Sequence, residues 1–344
     1  MPDKTQTIRN YHCVDVAKFI MAICVVAIHT WGTPVSSIAF EKVYGCVVNC
    51  AVPFFFLASG FFLGKKMLRT GPAEQHTVLR GYVIRMLKLY SLWYLIYLPL
   101  AASYFYANDY SLIKSILVSV RGYLLIGKNF YCDMLWYLLS TIYAVVFVTL
   151  LFKFQLRICH IALCGIVCHI IATQITAFTQ YHGNLSEPLL ALQRILALTI
   201  ENGRILTGFS YIPIGMLLAK KNLPARTGAV LLVIGFVGNY LLNGLIGTIM
   251  LAVCSVGIFV MTTQIQLPNS PVYAYFRKSS TAIYFIHQFI WAVFCFAVYK
   301  QDIQNFSVFL VVVSVSIILS CLWLFVQKKK VQLYHTKRGC KITA

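Results

Sequence analysis

Charge is scarce in this chain. Only 11% of its 344 residues are Asp, Glu, Lys or Arg, nine of them acids, and 60% of the residues are hydrophobic, for a mean hydropathy of +0.77. A water-soluble domain carries about 25% charged residues to hydrate its surface, so the scarcity excludes a soluble globular fold and makes lipid the solvent. CxxC pairs are absent. The twelve cysteines are scattered and the N-terminus carries no cleavable signal pattern, so no disulfide framework is expected and most thiols read as small apolar residues. There is no internal repeat and no low-complexity segment, no soluble domain is expected at either end, and the expected organisation is a single transmembrane domain over 1–344. A net charge of +20 would suggest nucleic acid in a soluble protein; in a membrane protein it reports which helix ends the cations flank, and no nucleic-acid partner is expected.

What is present is apolar sequence in spanning lengths. A helix needs roughly 20 mainly apolar residues to cross the ~30 Å hydrocarbon layer. About ten stretches approximate this, at 14–32, 44–64, 84–106, 133–152, 157–177, 204–219, 227–243, 245–263, 280–299 and 306–327. The expected fold class is all-α, a polytopic membrane protein of about ten transmembrane helices. Segments 110–126 and 186–200 read as amphipathic or re-entrant pieces. Alternating the loops puts 21 cations on one side, from Lys4 and Arg9 through Arg85 and Lys88 to Lys341, against seven on the other, Lys128 and Arg204 among them. The positive-inside rule makes the first side cytoplasmic, with both termini there and membrane lipid headgroups as partners of the basic tail. Six of the nine acids, including Asp133 and Glu201, fall outside.

Ionisable groups inside a membrane helix are expensive and therefore functional candidates. The first span carries three. Asp15 and Lys18 are one turn apart and can pair, or can snorkel at the rim. His29 lies eleven residues beyond Lys18, which returns it to the same face about 16 Å higher, and an imidazole there titrates near neutral pH. In the second span, Pro53 frees a backbone carbonyl and Ser59-Gly60 lets another helix approach closely. Arg85 and Lys88 put two cations on one face at the cytoplasmic boundary, suited to the phosphates of a nucleotide-bearing donor or of lipid. His287 is a second intramembrane histidine. His160, Cys164 and Cys168 have ligand-like spacing, but cysteine is common in apolar helices and no metal is expected. Trp136 reads as an interfacial anchor.

These segments, taken in order, resemble the acyltransferase-3 family of ten-helix membrane acyltransferases. Asp15, Lys18 and His29 are similar to its Asp-x-x-Arg motif followed by an apolar run ending in His, with Lys18 where Arg is usual. Pro53 to Gly60 resembles its Pro-Phe-Phe-x-x-Ser-Gly motif; Arg85 and Lys88 are similar to its basic start of the third helix, and Tyr284 with His287 to its late Tyr-x-x-His. Glu201 to Gly215, with Arg204, is only loosely similar to its sixth helix. A related branch is the membrane half of a vancomycin-resistance serine racemase. The resemblance implies an O-acyltransferase: acyl-CoA as co-substrate with its phosphates near Arg85 and Lys88, no tightly bound cofactor, His29 as general base, Asp15 and Lys18 in support, and Ser59, Arg204 and His287 as secondary candidates. The implied transfer is of an acyl group, expected to be acetyl, to a hydroxyl of an envelope glycan or similar acceptor. The rival reading is a small-solute, serine-like transporter that uses Asp15, Lys18 and Arg204 as charge partners.

Overall fold

The computed structural model describes residues 10–32, 37–71, 74–201 and 203–339; Lys4, Arg9 and Lys341, counted above among the cations of one face, lie outside them. The described residues form α1 (His12–Thr30), α2 (Ile38–Asn49), α3 (Ala51–Arg69), α4 (Gln75–Ala107), α5 (Leu112–Arg121), α6 (Trp136–Lys153), α7 (Ile158–Thr179), α8 (Glu187–Thr199), α9 (Gly208–Lys220), α10 (Ala225–Leu241), α11 (Gly244–Gln264), α12 (Val272–Val298) and α13 (Phe306–Gly339). Eight spans, with α2 and α3 read as one, are long and apolar enough to cross a membrane. The 17-residue α10 and the 13-residue α9 are the shorter apolar helices between them. The chain is an all-α polytopic membrane protein. Segments 110–126 and 186–200 form the short helices α5 and α8, joined where Arg121 Nη2 donates to the Ala197 carbonyl at 3.0 Å.

Several spans differ from their hydropathy outlines, three of them at their starts or middles for identifiable reasons. The second is broken at Cys50, three residues before Pro53, because proline has no N–H for the Asn49 carbonyl and its ring crowds that turn. Helices α4 and α12 begin nine and eight residues earlier than their apolar runs, since a helix continues past the hydrocarbon wherever its backbone bonds can, while hydropathy stops at the first charges.

Helix α1 packs against α12, α3 and α13, while α9 packs against α3, α6 and α7. The first pair runs parallel: His12 meets Asn269, Asp15 meets Arg277 and His29 meets Gln288. In lipid, helices associate through close packing of small residues rather than by excluding water. That explains how a 13-residue helix occupies the centre. A Cβ on Gly60 of α3 would lie 2.1 Å from the Ile212 carbonyl oxygen of α9, and one on Gly215 of α9 would lie 2.3 Å from that of Leu57. Replacing Gly60 with Val should therefore force the two backbones apart, an overpacking cost of roughly 1–3 kcal/mol or more. The expected result is loss of the monodisperse species in detergent chromatography, or a melting midpoint several degrees lower. Gly71→Ala, where no atom lies within 4 Å of the added carbon, should leave both unchanged.

Candidate active site

His29 stands in the last turn of α1, and α12 and the 127–135 turn converge on it. The Gln288 amide nitrogen lies 3.1 Å from His29 Nδ1. The other end of that amide, Oε1, accepts from the backbone N–H groups of Asp133 at 2.7 Å and Met134 at 3.3 Å. Two N–H donors require the amide oxygen, so the NH2 is turned toward the ring and Nδ1 accepts from it. A neutral His29 then carries its proton on Nε2. His287 holds the opposite tautomer: its Nδ1 lies 2.8 Å from the Tyr284 carbonyl oxygen and 3.1 Å from that of Ile283, both pure acceptors. Its Nε2 is left as a fully buried lone pair with no hydrogen-bond partner. The two rings are 5.3 Å apart between centroids.

The charged pair beside them comes from two irregular turns. Gly127, at φ +74°, ends the π-turn Gly122–Ile126, and a bridge between Asn129 and Cys132 closes the loop that aims Asp133 inward. Gly203, at φ +72°, opens the 3-10 turn Arg204–Leu206 ahead of α9. Arg204 grips Asp133 with both prongs of its guanidinium, Nη1 to Oδ2 at 3.2 Å and Nη2 to Oδ1, and lies 5.2 Å over the Trp136 ring. Lys128 pairs with Glu201 and lies 3.9 Å from Asp133 Oδ1. Burial alone would raise the Asp133 carboxyl, but the Arg204 charge and hydrogen bond hold it below the ordinary carboxylate value, with smaller contributions from His29 and then Lys128. Its contribution to stability is thus fully present above its unfolded value of about 3.9 and is lost only as pH falls through the lower folded value.

Two cavities meet at this point. One of about 770 Å³ is lined by Val25, Ile28, Pro53, Trp136, His169, Thr173, Arg204, Tyr211 and Thr248; the other, of about 270 Å³, by Tyr104, Phe130, Tyr131, Gln288, Trp291, Asp302 and Gln304. His29 and Asp133 line both. The imidazole thus borders both cavities.

The other sequence candidates are distributed along the bundle. Asp15 and Lys18 sit at the far end of α1, about 21 and 16 Å from His29 at 1.5 Å per residue. Asp15 pairs with Arg277 at 3.5 Å rather than with Lys18, which instead lies 4.7 Å over the Phe62 ring. Arg85 lines a cavity of about 320 Å³ at that end, together with Lys66, Tyr82 and Phe62; Lys88 is exposed and outside that lining. Ser59 lies between the two ends, 2.8 Å from the Tyr137 hydroxyl. Arg204 and His287 are brought to His29. Sequence reasoning passed over Asp133, Lys128 and Glu201, read as ordinary outer-loop charges, and over Gln288, which adjoins His287. Trp136, read as an interfacial anchor, is a cavity wall. His160 and Cys164 are exposed on α7 and converge on no ligand set among the described residues.

The Asp133–Arg204 pair should behave as one unit. Asp133→Asn and Arg204→Met should each lower the melting midpoint, and the double variant should be less destabilised than the sum of the two, with a coupling of roughly 0.5–3 kcal/mol. Additive effects in a double-mutant cycle would remove the pair from the account.

Residues 11–326 match the acyltransferase-domain family known as acyltransferase-3. An amino-acid racemase of Enterococcus faecalis is 34% identical over 145 residues, which is 41% of this chain and 19% of that protein; the match therefore spans about a fifth of the relative. No solved structure matches the chain. With the family match running through nearly the whole bundle and through the helices that carry His29, Arg204 and Gln288, the chain belongs to the acyltransferase-3 family.

Proposed function

We propose that this enzyme moves an acyl group, acetyl in the simplest case, from cytoplasmic acyl-CoA to a hydroxyl of a cell-envelope acceptor outside the plasma membrane, with both termini in the cytoplasm. One observation carries the reading: His29 separates two cavities and can serve a different molecule on each side. The acyl-CoA phosphates sit at the Arg85 end, where Lys66 supplies the second cation in place of Lys88. The pantetheine arm then runs toward His29 past Tyr82, Ser59, Tyr137 and Tyr284, the polar and aromatic side chains between the two ends.

The tautomers suggest the proton path. The acceptor hydroxyl occupies the smaller cavity, on the Gln288 side, and takes the place of the Gln288 N–H at Nδ1. Its oxygen attacks the thioester carbonyl as Nδ1 takes its proton; the C–O bond forms, the C–S bond breaks, and the Nε2 proton passes to the leaving sulfur. A base so positioned contributes about 10²–10⁴-fold to rate, and Arg204 is close enough to favour charge developing on the carbonyl oxygen. The solute-transporter reading needs Asp15, Lys18 and Arg204 in one site, whereas Asp15 pairs with Arg277 at one end and Arg204 with Asp133 at the other.

Membranes incubated with radiolabelled acetyl-CoA test this directly. His29→Gln should lose at least 10²-fold in acyl transfer with protein abundance unchanged; full activity would remove His29 from the chemistry and leave His287 as the next base to test. Arg85→Ala and Lys66→Ala should raise the KM for acyl-CoA with little change in kcat. An unchanged dependence on acyl-CoA in both would put the donor site elsewhere.

A further inference from the structure

Away from the acyl-transfer site, three thiols meet inside the bundle. Cys46 and Cys50 lie one turn apart across the α2–α3 break, and Cys254 faces them from α11; their sulfurs all lie within 4.8 Å of one another. Each residue is at most 2% exposed, and Leu232, Phe236, Leu251 and Ile258 close around them. Among the described residues, this is the cluster of three or more histidine, cysteine or carboxylate side chains whose ligand atoms converge. The α7 set of His160, Cys164 and Cys168 has ligand-like spacing in the sequence but faces outward.

The geometry points to a binding site for a soft monovalent d10 cation of the Cu(I) or Ag(I) class, held by Cys46, Cys50 and Cys254. Three features of the site select that class. The donors are all sulfur, which favours soft ions. Three sulfurs about 2.3 Å from one ion in a trigonal plane are about 4.0 Å apart, so the trio needs to contract by less than about 1 Å. No imidazole or carboxylate joins the cluster as the fourth ligand that tetrahedral zinc requires, whereas Cu(I) and Ag(I) are satisfied by two or three. Charge points the same way. One monovalent ion, one thiolate and two thiols make a neutral centre, the form that a hydrocarbon interior tolerates, and its formation releases a single proton.

The larger cavity comes close to the site. Asn49, next to Cys50, and Leu251, one turn from Cys254, both line it. A bound ion would tie the α2–α3 break to α11 and so stiffen one wall of that cavity.

Purified protein in detergent, titrated with Ag(I) and with Cu(I) buffered by a competing chelator, should retain one equivalent after desalting and show a higher melting midpoint, because the ion binds the folded state. Cys46→Ala and Cys254→Ala should each weaken retention at least tenfold and abolish the midpoint rise, while Cys164→Ala and Cys168→Ala should change neither. X-ray absorption on the metal-loaded unmodified protein should find three sulfur neighbours, a reading that does not depend on any variant folding. The proposal is overturned by a single sulfur neighbour, or by retention that follows Cys164 and Cys168.

Discussion

Inside a hydrocarbon layer no water is available to satisfy a polar side chain, so each must find its partner within the protein. That constraint organises this molecule. Its charged groups gather at two levels, Asp15 with Arg277 at one end of α1 and Asp133 with Arg204, Lys128 and Glu201 at the other. Between them the polar groups are neutral and paired: Ser59 with Tyr137, and the Tyr97 hydroxyl with the Phe285 carbonyl at 2.7 Å. Among the buried neutral side chains of the described residues, His287 Nε2 and Ser316 Oγ are left without a partner, and the first lies beside His29.

Satisfying polar groups also shapes the site. The Gln288 amide answers two backbone N–H groups of the 127–135 turn and the ring of His29 at once, so one side chain sets the imidazole tautomer and anchors the turn that presents Asp133. Asparagine would be too short to reach both, and glutamate would reverse the proton demand at Nδ1. On the opposite wall, close packing of α9 on α3 at Gly60 and Gly215 holds the short helix whose leading turn carries Arg204. The placement of Arg204 thus rests on two glycines that touch none of the site's charged groups.

Composition and local pattern were enough for the class of the fold and its rough layout. Hydropathy and scarce charge are properties of each stretch, so spanning lengths and the short amphipathic pieces α5 and α8 were legible without coordinates. The ordered motifs at Asp15 to His29, Pro53 to Gly60, Arg85 and Tyr284 to His287 made the family legible for the same reason: each is local. The tertiary structure alone decided which polar groups meet. Asp133 and Arg204 are 71 residues apart and His29 and Gln288 are 259 apart; His29 stands out in the sequence, but nothing local marks Asp133 or Gln288 as its neighbours. Lys18 and Asp15 illustrate the converse, since of two neighbours one turn apart Asp15 takes its ion-pair contact from Arg277 of α12 and Lys18 lies over the Phe62 ring of α3. Periodicity states which face of a helix a residue occupies; only the packing of helices against one another states what that face touches.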